Sequence, residues 1–242
     1  MDKVLLHRVI GSGFIRGICD RAVLFFDGRN LCCEFISENK ILTGRVVSVK
    51  FNDGNNFIGE HKIGLPSIDS FLKMLKTLGD DVTAEVEREG RDERYLILGD
   101  GTLQMKYGLI TNSQMPKIPR ISMEALSKNP VKLPVDKDFI TKFHKLSGAI
   151  KDCKYLFVKT DGSNIDLILS QSEDYETGAK MTYPIDGGET IETLVFDTKT
   201  FRGVLYNNRH CGRGVIEFHS GGLAEINFFS ENIKTNYHIL AE

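Results

Sequence analysis

A base and a nucleophile stand side by side at His210-Cys211. Neighbouring residues on one chain seldom face each other, however, and no acid is placed to orient that imidazole. His144, between Lys142 and Lys145, could act as a base, but on a basic helical face it reads more simply as a solvated side chain. Gly11-Ser12-Gly13 and Gly212-Arg213-Gly214 match neither a Walker loop nor a strand-to-helix phosphate fingerprint. Asp161-Gly162-Ser163-Asn164 begins like a calcium loop and lacks the later acids and the terminal Glu. The acidic run Glu173-Asp174-Tyr175-Glu176 reads as a solvated loop. The five cysteines, Cys19, Cys32, Cys33, Cys153 and Cys211, contain no Cys-x-x-Cys pair, so they read as free thiols packed as small hydrophobes rather than zinc ligands. No catalytic residue, metal site or cofactor is expected.

The chemistry that remains is distributed. Arg8, Arg16, Lys73, Lys76, Lys137, Lys142, Lys145, Lys199, Arg202 and Arg209, with Lys3, fall opposite the apolar stripes of four helix-like segments, and only Asp69 and Asp138 oppose them mid-segment. Lysines and arginines gathered in this way bind phosphates without reading sequence, and such binding weakens steeply with salt. There is no aromatic-rich basic strand of the kind that stacks single-stranded bases, and no helix-turn-helix signature. The net charge of −2 and pI near 6.3 argue against a nucleic-acid binder unless the charges are segregated by surface, as this pattern suggests.

The segments that must carry these residues are 3–17, 67–78, 136–150 and 197–209. Leu5, Leu6, Val9, Ile10 and Phe14 form the first apolar stripe, although three glycines weaken that helix. Ile68, Phe71, Leu72, Leu75 and Leu78 form the second, with Ser67 as a cap and Gly79 as a stop. Phe139, Ile140, Phe143, Leu146 and Ile150 follow Asp136 in the third, and Phe201, Val204 and Leu205 mark the fourth. About ten residues past each segment comes a turn: Asp27-Gly28, Glu89-Gly90, Asp161-Gly162 and Ser220-Gly221-Gly222. Between the helices lie short apolar or alternating runs, among them 45–51, 103–110 and 237–240. Residues 111–134 hold four of the six prolines and read as an extended connector. The expectation is an α+β chain of two similar domains, 1–110 and 135–242, each an antiparallel sheet with two helices.

Nothing in the composition suggests disorder: 41% of residues are hydrophobic and 26% charged. There is no apolar run of about 18 residues, so no membrane span is expected. The opening Met1-Asp2-Lys3 argues against a signal peptide, and the expected location is the cytoplasm.

With this plan the chain resembles the DNA sliding clamps, the processivity factors of DNA polymerases, and in particular those of T-even-like bacteriophages. The local stretch that carries the resemblance best runs from Phe71-Leu72-Lys73-Met74 to Gly79-Asp80-Asp81, joined by the 22–35 and 222–240 hairpins. The resemblance implies a clamp fold closed into a ring, with three two-domain subunits in this branch, helices inside around double-stranded DNA and sheets outside. It implies that 103–110 of one subunit, with Leu103, Met105 and Tyr107, pairs near 177–183 of the next, with Lys180 and Thr182. It implies a pocket for partner peptides at Ile118, Pro119, Ile121, Tyr237, Ile239 and Leu240. The partners implied are DNA polymerase, an ATP-driven clamp loader and further copies of the chain, with no enzymatic activity and a bacterial host cytoplasm if viral. Two alternatives stand beside this one: a monomeric DNA-binding polymerase accessory protein, and a non-enzymatic phage structural β protein.

Overall fold

The computed structural model describes residues 2–27, 30–49, 62–90, 92–119, 121, 126–175 and 177–242. Its four helices begin where the sequence supplies an oxygen to cap them. α1 (Lys3–Gly13), α2 (Ile68–Thr77), α3 (Lys137–Ala149) and α4 (Thr198–Asn207) follow Asp2, Ser67, Asp136 and Asp197. Each of those side chains accepts the backbone N–H three residues on, from Leu5, Ser70, Phe139 and Thr200, at 2.8–3.2 Å. That bond satisfies one of the otherwise orphaned amides of the first turn.

The strands are β1 (Ala22–Asp27), β2 (Asn30–Ile36), β3 (Leu42–Ser48), β4 (Ile63–Leu65), β5 (Thr83–Glu89), β6 (Asp92–Gly99), β7 (Gln104–Gly108), β8 (Val131–Val135), β9 (Tyr155–Thr160), β10 (Asn164–Ser170), β11 (Gly178–Pro184), β12 (Ile191–Asp197), β13 (Arg213–His219), β14 (Leu223–Phe229) and β15 (Ile233–Leu240). The chain divides into two compact units, Met1–Ile118 with Glu231–Thr235 and Pro119–Ser230 with Asn236–Glu242. In the first unit the strand orders are β4-β1-β2-β3 and β5-β6-β7; in the second they are β15-β14-β13-β8 and β11-β10-β9-β12. Every pairing whose register is defined is antiparallel.

The glycine turns close hairpins where their spacing predicts. Gly90, Gly162 and Gly222 hold φ of +69°, +89° and +85°, the left-handed region that a Cβ disfavours. Asp27 pairs with Asn30 across the first hairpin, while Gly28 itself lies outside the described residues, as do Phe51 and Glu176. The Asp161 carboxylate is spent on its turn, accepting the Ser163 and Asn164 N–H groups at 2.8 and 2.7 Å. Those bonds hold its pKa below the usual carboxylate value.

Three local expectations change. The first helix stops at Gly13, four residues early, because the chain turns at Gly17 (φ +73°) and closes an Ile15–Cys19 bridge. Its glycines nonetheless suit it: a Cβ at Gly13 would come within 2.9 Å of Phe35, so the missing side chain lets α1 press onto β2. The fourth helix ends at Asn207, two residues before Arg209. The proline-rich connector also contains a strand, since Val131–Val135 pairs with β13. Pro134 fits because β8 is an edge strand, where a missing N–H interrupts no second ladder.

Each helix buries its apolar stripe. Leu6, Val9, Ile10, Phe71 and Leu75 are fully enclosed in the first unit, as are Phe143, Phe201, Val204 and Leu205 in the second. Phe201 stands 5.2 and 6.2 Å (ring centroids) from Phe196 and Phe218, tying α4 to both sheets of its unit.

Candidate nucleic-acid interface

Burying one face of each helix leaves the other to its cations. Arg8 on α1, Lys73 and Lys76 on α2, Lys137, Lys142 and Lys145 on α3, and Lys199 and Arg202 on α4 are all exposed. Arg16 and Arg209 are exposed too, but on the turns that follow α1 and α4 rather than on the helices. Among the described residues, Lys73 alone of these ten is in an ion pair, with Asp69 one turn away. Lys3 is half-buried and donates to the Leu78 carbonyl.

In the second unit two of the exposed cations, Arg202 and Arg209, are held in place. Arg202 Nε donates to His144 Nδ1 at 3.3 Å, which puts the imidazole proton on Nε2. The His144 ring meets Tyr206 edge-on at 5.2 Å. The Arg209 guanidinium lies 3.9 Å above the Tyr206 ring and donates to the Tyr206 carbonyl at 2.8 Å. Tyr206 is 53% exposed, so this array sits at the surface. Burial, then the charge of Arg202, hold the His144 pKa below its ordinary 6.5, so His144 is neutral near pH 7 and remains an acceptor. His7 in the first unit is also pushed down, by burial and by Lys76 and Lys3.

The residues singled out for subunit contact divide. β7 and β11 are edge strands of their sheets, and Leu103 is exposed just before β7. Tyr107, however, turns inward: its ring meets Phe71 at 5.3 Å and its hydroxyl donates to the Ser67 carbonyl. Only its backbone is on the edge. Met105 is half-buried, while Lys180 and Thr182 are exposed and both engage Asp166, at 2.7 Å each. The pocket residues divide as well. Leu240 and Pro119 are exposed, and Ile118 and Ile121 are half-buried. Tyr237 and Ile239 are fully enclosed, and the Tyr237 hydroxyl accepts from Asn208 at 2.9 Å. They are core residues, because the alternation of β15 turns them inward.

The sulfur candidates do not form a reactive site. Cys211 is buried and burial raises its thiol pKa, so it stays protonated; Cys19 is pushed up to about 12 by the same cause. Gly214, in the second glycine-rich stretch, is explained by packing, since a Cβ there would lie 2.6 Å from Phe228. Sequence reasoning missed Lys151, which follows α3 and lines one cleft with Lys199 and Arg202. Its position outside any helical stripe gave no periodic signal.

No family model and no curated protein matches the chain by sequence. Its fold does match. The proliferating cellular nuclear antigen of Entamoeba histolytica superposes on 99% of this chain and 96% of its own, with a TM-score of 0.71 at 13% identity. A. fulgidus PCNA, solved with the C-terminal region of FEN-1 bound, covers 100% of this chain and 96% of its own (TM-score 0.70, 17% identity). The PCNA2–PCNA3 complex of Sulfolobus tokodaii covers 100% and 97% (TM-score 0.68, 13% identity). The chain therefore has the PCNA-type sliding-clamp fold, with two domains, antiparallel sheets and, among the described residues, four α-helices.

Proposed function

We propose that this protein is a DNA sliding clamp: it closes into a ring around duplex DNA and tethers the replicative polymerase. The observation that carries this reading is the match of the whole chain, end to end, to PCNA-type clamps. The exposed, largely unpaired helix cations fit it: in a ring they would line the hole and make weak, exchangeable phosphate contacts that permit sliding. The ring prevents escape, so tight binding is not required, and no reaction is assigned to the chain itself.

The ring is formed by three copies joined head to tail, the edge of β7 in one pairing with the edge of β11 in the next. A heterologous contact of this kind leaves no sheet edge open once the ring closes. A separate ATP-driven loader opens it. Polymerase and loader peptides dock near Ile118, Pro119, Ile121 and Leu240 by an apolar anchor. By this reading the protein works in the cytoplasm and does the job of a phage processivity clamp; no helix among the described residues is long and apolar enough to cross a membrane. The test is retention on DNA. Protein loaded on a nicked circle should survive a high-salt wash and be lost when the circle is cut; loss at high salt from intact circles would contradict the topological link.

A further inference from the structure

The two units repeat a corner. In the first, the N–H of Ile68, the first residue of α2, donates to the Asp20 carbonyl at 2.7 Å; in the second, that of Thr198, the first residue of α4, donates to the Lys154 carbonyl at 2.8 Å. Each bond ties the start of one helix to the chain leaving the other, and each corner opens a cleft, of about 350 Å³ and 400 Å³. The charges in the two clefts are opposite. The first is lined by Arg21 against Asp20 and Glu38. The second is lined by Lys151, Lys199 and Arg202 against Asp152 alone.

Arg202 is also the fixed cation of the array. His144 takes its Nε, and its Nη2 lies beside Gly148, 3.7 Å from where a Cβ would stand. Its guanidinium is thus laid along α3 before any ligand arrives, so less side-chain entropy is lost on binding. The Lys199 amide adds a first-turn N–H to the same corner, since the Asp197 cap takes that of Thr200.

Resting on the clamp reading, we propose that the cleft of the second unit seats a backbone phosphate of the duplex between Lys151, Lys199 and Arg202, and that the first unit has no such seat. The second unit then supplies the positionally fixed contact to DNA, and the first only a diffuse one. His144 is a positioning residue: it acts through Arg202 and does not touch the phosphate.

The test uses the full chain and a fluorescein-labelled 30-base-pair duplex, with affinity followed by anisotropy as salt rises. Lys151→Gln with Arg202→Gln should weaken binding about tenfold and lower the slope of log affinity against log salt by about two. The charge-matched pair Arg8→Gln with Lys76→Gln should cost less than about threefold and lower the slope by less than one. His144→Ala, which removes no cation, should weaken binding about threefold with the slope nearly unchanged, and unchanged circular dichroism would show that the fold is kept. Equal losses in the two charge-matched pairs, or wild-type binding by His144→Ala, would overturn the seat while leaving the clamp reading intact. A wild-type protein with no salt-dependent duplex binding at all would likewise overturn the seat, whereas the clamp reading falls only if protein loaded on intact circles is lost at high salt.

Discussion

The two units share a plan down to the hydrogen bond that starts the second helix of each, yet they treat their surface cations differently. In the first unit Lys73 is engaged by Asp69, Lys3 is tied to a backbone carbonyl, Arg16 has left its helix, and the corner cleft carries two acids to one arginine. In the second, Lys137, Lys142, Lys145 and Lys199 are in no ion pair among the described residues, Lys142 lies 5.7 Å from the Tyr183 ring centroid, and Arg202 and Arg209 are held by His144 and Tyr206. A repeated scaffold fixes where charges can be presented. Individual side chains then decide how strongly each copy presents them.

Substitutions in each unit put that contrast to the test. The largest effect should come from the shared part. Phe71→Ala and Phe143→Ala each remove a fully enclosed ring beneath a basic face and should cost about 3–5 kcal/mol in denaturant unfolding. A much smaller loss in one unit would show that its helices are packed less firmly.

Next comes charge reversal. Lys142→Glu with Lys145→Glu should reduce duplex affinity at least about tenfold and impair processive synthesis without unfolding the domain. Wild-type processivity in that variant would remove α3 from the DNA-facing wall.

Caps should matter equally in both units. Ser67→Ala and Asp136→Ala each delete one first-turn acceptor and should cost about 1 kcal/mol. The pair Asp69–Lys73 is exposed, and Asp69→Asn should change stability by less than about 1 kcal/mol.

The pH dependence has a defined sign. Burial, helped by nearby cations, lowers His7 and His144 below 6.5 in the folded chain, so near and below that pH the unfolded chain binds more protons. Stability therefore rises with pH through this window and falls as the solution is acidified below about 6.5. Melting temperature measured at pH 7.5 and 5.5 should drop at the lower value, and His144→Gln should flatten the drop. Asp161, held low by its turn amides, contributes in a different window, losing its stabilisation only below 3.8.

Much of this was legible in the sequence. Asp136 and Ser67 announced two helices almost to the residue, because a cap and a stripe of period 3.6 agree. Gly162 and Gly222 marked hairpins because few other residues tolerate their φ. What stayed hidden depends on three-dimensional neighbours. Gly13 looked like a helix weakness until Phe35 was seen against it. Pro134 concealed a strand whose edge position excuses it. Tyr107, Tyr237 and Ile239 alternate correctly, but which face of a strand is covered is decided by what packs on it. Lys151 joined Lys199 and Arg202 only through a corner that brings residues about fifty apart together.

The central claim is closure, and the solution mass of the purified chain tests it most directly. Sedimentation equilibrium should give three times the 27.2 kDa of one chain, with no larger species as concentration rises. A monomer at every concentration, or a mass that grows without limit as open head-to-tail polymers would, contradicts it.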